Sequence, residues 1–198
     1  MSTRQAFAVR REAGARALLR WRSEASVAEK LAASAFFVLL MAIAAQVRVQ
    51  LPFSPVPFTG QVLVVLLSGF LLGRFAPASM AVYLGFGTMF PWFSGLQGIS
   101  ALTGVTAGYL FGFVAAAAVI GLIADSKERW SVFGLSGLMS LGVLVIYLFG
   151  ASWLVIGFGM SVPQAIIFGV APFIVVDAIK VGLAASAARL MTPGVGSS

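Results

Sequence analysis

The stretch PFIVVDAIKVGLAASAARLM, Pro172 to Met191, decides the fold. Almost every side chain in it is apolar or small. As a helix rising 1.5 Å per residue it is about 30 Å long, the thickness of a bilayer's hydrocarbon core. Arg189 stands near its far end, and two further charges, Asp177 and Lys180, sit inside the apolar run. Three residues apart, they share one helical face. Charges placed in lipid are costly and turn toward a cavity or a partner. Counted from Pro172, they lie about one to two turns below the start of the helix.

Outward from that helix the same pattern recurs. Apolar runs predict spans over about Val27–Val47, Thr59–Gly73, a third ending near Phe90, Val105–Ala124 and Val132–Phe149 or beyond. Pro77 suits the first turn of the third, and Pro163 the start of a further short helix. The runs are continuous, not alternating, which favours helices over a barrel. The expectation is an all-α membrane protein, a bundle of six transmembrane helices with a ligand pocket near the outer face. Residues 27–191 form this domain. Residues 1–26 read as a basic cytoplasmic extension, either an amphipathic surface helix or disordered, and 192–198 as a short tail. The run after Lys30 is long enough to remain in the membrane, so it reads as a span and not a cleaved leader.

Composition agrees. The chain is 60% hydrophobic and 10% charged, with mean hydropathy +1.03. It contains neither cysteine nor histidine. That removes thiol nucleophiles, disulfides and the usual zinc and copper ligand sets. No GxxxxGK[ST], GxSxG or HExxH sequence occurs, so an enzyme is the least supported class. The net charge of +7 does not point to nucleic acid, because no soluble domain is present to read it.

The basic residues orient the chain. Arg4, Arg10, Arg11, Arg16, Arg20 and Arg22 precede the first span. With six spans and a cytoplasmic N-terminus, Lys30, Arg74, Lys127, Arg129 and Arg189 fall on that same side. The outer loops carry only Arg48. This asymmetry predicts both termini in the cytoplasm and a multi-pass protein of a prokaryotic cytoplasmic (inner) membrane. It gathers the proline loop Gln46–Gln61 and the uncharged loop Pro91–Thr103 on the outside, above the start of the last helix.

Asp177 and Lys180 offer either an ion pair that ties helices together or a small-molecule site with one acceptor and one donor. Phe53, Phe58, Trp92, Phe93 and Tyr109 belong to the same side, and Gln61 and Gln97 are further polar candidates. Aromatics around a polar pair suit an apolar ligand with a few polar handles. On the first span, Ala28, Ala32 and Ala35 permit close helix approach, for packing within the bundle or for a docking partner.

These residues also carry a resemblance. LPFSPVPFTGQVLVVLLSGFLLG (Leu51–Gly73), YLGFGTMFPWFSG (Tyr83–Gly95), GVTAGYLFGF (Gly104–Phe113) and the PF....D..K pattern of the last helix closely resemble the BioY family. That family comprises the biotin-specific substrate-binding (S) components of energy-coupling factor (ECF) transporters. Val105 and Ala107 stand where the family usually has proline and glycine. The resemblance implies biotin as ligand, no cofactor, contacts from Asp177 and Lys180, and a pocket that includes Tyr109 and the Trp92 loop. It implies partnership with a transmembrane coupling subunit and two ABC-type ATPases. Apart from Lys180 and Arg48, no outer cation is present for the biotin carboxylate. The rival expectations are a stand-alone biotin carrier without ATPase partners, an S component for another vitamin, and a membrane scaffold.

Overall fold

A computed structural model of the chain describes residues 17–18, 20–21, 24–95, 97–127 and 129–192. Most of the N-terminal extension, and the tail after Thr192, lie outside the described residues. The principal helices are α1 (Val27–Gln46), α2 (Gln61–Leu72), α3 (Ala76–Met89), α4 (Ala107–Asp125), α5 (Val132–Phe158), α6 (Val162–Gly169) and α7 (Ile174–Leu190). Two short strands, β1 (Arg48–Val49) and β2 (Phe58–Thr59), pair antiparallel with Arg48 opposite Thr59 and Val49 opposite Phe58.

Local chemistry sets the boundaries. Ser26 and Glu29 form a reciprocal capping box at the start of α1, and Ser161 with Gln164 does the same for α6. Ser131 caps α5, which runs well past Phe149 until Gly159 ends it in the left-handed region. Pro77 and Pro163 occupy the first turns of α3 and α6. Pro172 lies in the 3-10 turn Ala171–Phe173 that joins α6 to α7, so the final α-helix starts slightly later than the sequence suggests.

Among the described residues, five apolar helical stretches are long enough to cross a membrane, one of them Gln61–Met89. That stretch is not one straight rod. The Gln61 amide donates to the Tyr83 hydroxyl at 2.9 Å although the residues are 22 apart in sequence. A continuous helix would hold them about 33 Å apart. The chain therefore reverses at the 3-10 turn Gly73–Phe75, and α2 and α3 lie side by side. Gly73 has φ +58, and a Cβ there would collide with the Asp125 carboxylate. Only glycine takes this backbone without strain. Asp125 accepts from the Arg74 backbone N–H at 2.9 Å, joining the turn to the end of α4.

Helices α2 and α4 form the centre. Helix α4 packs most extensively on α5, and also on α2 and α3. Val65, Leu66, Met80, Ile120, Leu135 and Ile146 are fully buried between them. Large apolar side chains cover the outside instead: Leu31, Phe36 and Ile43 on α1, Phe133, Leu144, Leu148 and Ile156 on α5, and Val175, Ile179 and Leu183 on α7. In water such a surface would drive aggregation; in lipid it costs nothing. Ala28, Ala32 and Ala35 are exposed, so these three do not serve packing within the bundle, whereas Ala44 and Ala45 near the other end of α1 are buried.

The β1–β2 ladder closes the proline-rich segment into a hairpin at the end of the bundle opposite Arg74 and Asp125. The loop after α3 lies beside it, held by the Gln46 side chain, which donates to the carbonyls of Trp92 and Phe93.

Candidate functional site

Helix α7 brings Asp177 and Lys180 to the inside of the bundle. Asp177 is 3% exposed. Lys180 Nζ donates to Asp177 Oδ1 at 2.7 Å and to the Thr59 carbonyl, on β2, at 2.9 Å. Tyr147, from α5, donates to Asp177 Oδ2 at 2.7 Å. The pair is thus mutually neutralised and hydrogen-bonded, as a buried pair must be. It is not saturated. An ammonium has three N–H groups and two are placed; each carboxylate oxygen has a second lone pair.

A cavity of about 50 Å³ opens against this pair. Asp177, Lys180, Tyr109, Phe93 and Gln61 all line it, as the sequence suggested. Phe93 is buried and meets the Tyr83 ring edge-on at 5.4 Å. Tyr109 presents its ring to the cavity while its hydroxyl donates to the Gly169 carbonyl at 2.7 Å. Gln61 is oriented by its bond to Tyr83.

Three expected residues are elsewhere. Trp92 stacks outward on Phe86 and Phe90, with ring centroids 5.7 and 5.4 Å away, and does not line the cavity. Its contribution is its backbone: the Trp92 carbonyl accepts from Gln46 and from the Tyr83 hydroxyl. Phe53 is 59% exposed at the tip of the hairpin, away from the wall. Gln97 lines a neighbouring cavity that shares Pro57, Ser94 and Thr106 with the first. Sequence alternation along a loop cannot say which of two adjacent aromatics, Trp92 or Phe93, turns inward.

The structure also adds residues. Tyr147, Thr59 and Phe173 were not singled out from sequence, yet all three line the cavity. Phe173 meets Phe58 edge to face at 4.7 Å, so the hairpin is seated on the start of α7. Tyr147 lies in the middle of a long apolar helix, and a lone tyrosine there is itself a signal: its hydroxyl needs a buried partner. Ser94 contributes a buried Oγ with no hydrogen-bond partner among the described residues.

The arrangement can hold a neutral or weakly polar group that both donates and accepts hydrogen bonds, wrapped by aromatic and aliphatic walls. It contains no nucleophile–base pair.

Comparison with known proteins gives concordant results. A family model described as the BioY family matches residues 15–197. A biotin transporter BioY of Thermotoga maritima is 38% identical over 160 residues, covering 79% of this chain and 91% of the relative. A probable biotin transporter BioY of Pyrococcus horikoshii is 38% identical over 160 residues, 79% of this chain and 92% of its own. The crystal structure of the S-component for biotin from an ECF-type ABC transporter superposes with a TM-score of 0.75. It is 24% identical and covers 82% of this chain and 89% of that one, a likeness of fold.

Proposed function

The chain belongs to the BioY family, and from that premise we propose that it captures biotin and delivers it across the membrane as the substrate-specific component of an ECF-type transporter. It is a transport component, not an enzyme. Its partners are biotin, a transmembrane coupling subunit and two ABC-type ATPases, and its place is the prokaryotic inner membrane. The exposed Ala28, Ala32 and Ala35 give the coupling subunit a surface on which helices can approach closely.

The observation that carries the reading is the Asp177–Lys180 pair on a cavity wall, neutral overall and still able to form further hydrogen bonds. The ureido ring of biotin has two N–H donors and a carbonyl acceptor. Asp177 accepts a ureido N–H on its spare lone pairs, and the remaining Lys180 N–H donates to an oxygen of the ligand. Phe93, Tyr109 and Phe173 pack on the apolar thioether ring. The enclosed volume is far below the roughly 300 Å³ at which ligand pockets begin. The hairpin and the loop after α3 therefore part for entry and close afterwards.

Topology follows the same logic. With α2 and α3 read as two spans about the turn at Gly73, the count is six, which puts both termini on one side, and the basic N-terminal extension favours the cytoplasm for that side. Arg74 sits beside Asp125, and Lys30 lies over the Phe75 ring at 5.0 Å. The basic turns thus share one end of the bundle, which supports reading that end as the cytoplasmic one.

The test is titration of the purified protein with biotin, thiamin and riboflavin. Biotin alone binds tightly, and Asp177→Asn and Lys180→Ala each weaken it by roughly tenfold or more, the effect of losing a hydrogen bond to a charged group. Near-normal affinity in both variants would reject their role.

A further inference from the structure

Next to the Asp177–Lys180 cavity lies a second one of about 150 Å³, with a more polar wall. Arg48, Gln50, Gln97 and Ser100 supply that wall, while Ser94 and Thr106 face both cavities. Arg48 sits on β1 directly opposite Thr59, the residue whose carbonyl holds Lys180. One rung of the ladder thus anchors a cation for each cavity.

The two cations are not equivalent. Lys180 is already paired with Asp177, so the inner cavity has no uncompensated positive charge. The Arg48 guanidinium makes no hydrogen bond or ion pair among the described residues. It lies against the backbone of Gly95, where φ is +77 and a Cβ would collide with Nη1. The loop after α3 therefore meets the guanidinium with bare backbone and leaves its fork uncovered. Between the cavities stands the buried Ser94 Oγ, which has no partner among the described residues.

We propose that the second cavity is a carboxylate subsite, with Arg48 receiving the end of an acyl tail whose ring system occupies the Asp177–Lys180 cavity. This rests on the biotin reading and extends it to the opposite end of the ligand. The tail passes Ser94, whose hydroxyl gains a partner there. A planar guanidinium presents two parallel N–H groups to a carboxylate, a match that a neutralised lysine does not offer. The consequence is selectivity: the chain takes the free acid and discriminates against amides and esters of the same ring system, including lysine conjugates.

The experiment compares biotin with biotinamide by calorimetric titration of the full chain in detergent. The unmodified protein prefers biotin by roughly ten- to a hundredfold, the range for a hydrogen bond to a charged group. Arg48→Gln brings biotin down to the affinity of biotinamide and leaves biotinamide binding as it was, which also shows that the variant is folded. Retention of the preference in Arg48→Gln overturns the proposal. So does equal affinity for the two ligands in the unmodified protein, a result that needs no variant. Binding of both ligands with no preference leaves the biotin reading intact and strikes only the subsite. Binding of neither removes the biotin reading, and the subsite with it.

Discussion

Tyr147 donates its hydroxyl hydrogen to Asp177 Oδ2 across 2.7 Å, linking the middle of α5 to the first turn of α7. Lys180 holds the other oxygen at the same distance. The carboxylate is therefore clamped between a neutral and a charged donor, and its free lone pairs are fixed in direction before any ligand arrives. Such preorganisation is what gives a binding site precision.

Tyr147→Phe removes that hydroxyl and keeps the ring. Oδ2 is then left in a buried position without its protein donor, which costs about 1–3 kcal/mol of stability. Biotin affinity falls by roughly tenfold as the carboxylate gains rotational freedom. Thermal denaturation and ligand titration of the purified variant check both effects. A variant as stable and as tight-binding as the parent would show that Tyr147 merely packs against α7.

Ion pairing and ligand binding can be separated at Asp177 and Lys180. Lys180→Met alone strands a buried carboxylate and destabilises the protein by about 3–5 kcal/mol, the usual cost of breaking a buried pair from one side. Asp177→Asn with Lys180→Met removes both charges and recovers most of that stability. Biotin binding does not return with it, because the donor and acceptor are gone. Denaturation curves for the single and double variants give the first comparison, and titration gives the second. Recovery of binding in the double variant would contradict the proposed contacts.

The loop after α3 yields a contrast between neighbours. A Cβ at Gly87 would enter the Phe93 ring. Gly87→Ala therefore pushes Phe93 from the cavity wall and weakens biotin binding severalfold, while helical content is unchanged. Trp92→Ala removes a larger side chain, but one that stacks outward on Phe86 and Phe90. It leaves biotin affinity within about twofold, as expected for a residue that touches no ligand. Titrations of the two variants side by side decide the matter, and the reverse order of effects would show that the loop turns over on binding.

How much of this was legible in the sequence depends on the kind of interaction. Helix positions followed from apolar run length and from Pro77 and Pro163, because those signals are local; the end of α5 at Gly159 was not read, because the apolar run gives no sharp stop at Phe149. The Asp177–Lys180 face followed from helical periodicity alone. Tyr147 was not found: a lone tyrosine in a long apolar helix signals that its hydroxyl needs a buried partner, but which partner depends on the packing of α5 against α7, and nothing local names it. The β1–β2 ladder was hidden by length: two-residue strands leave no alternation to read, and the prolines between them suggested only an extended loop. Trp92 and Phe53 illustrate the same limit. Their chemistry suits a ligand wall, yet which way a loop side chain turns is fixed by contacts with other elements, here Phe86 and Phe90 for Trp92.

The absence of cysteine makes the topology directly testable. Single cysteines placed at Phe53, Arg74 and Ser126 sample the proline hairpin, the α2–α3 turn and the turn after α4. With α2 and α3 as separate spans, Phe53→Cys reacts with a membrane-impermeant thiol reagent applied to intact cells. Arg74→Cys and Ser126→Cys react only after the membrane is permeabilised. The two inner positions must behave alike, because Arg74 and Asp125 are in contact. If Gln61–Met89 crossed the bilayer as one helix, the turn at Arg74 would lie at mid-depth, and its cysteine would stay unreactive in both conditions. Labelling of Arg74→Cys from outside would invert the whole bundle, and with it the assignment of the Asp177 cavity to the exterior face.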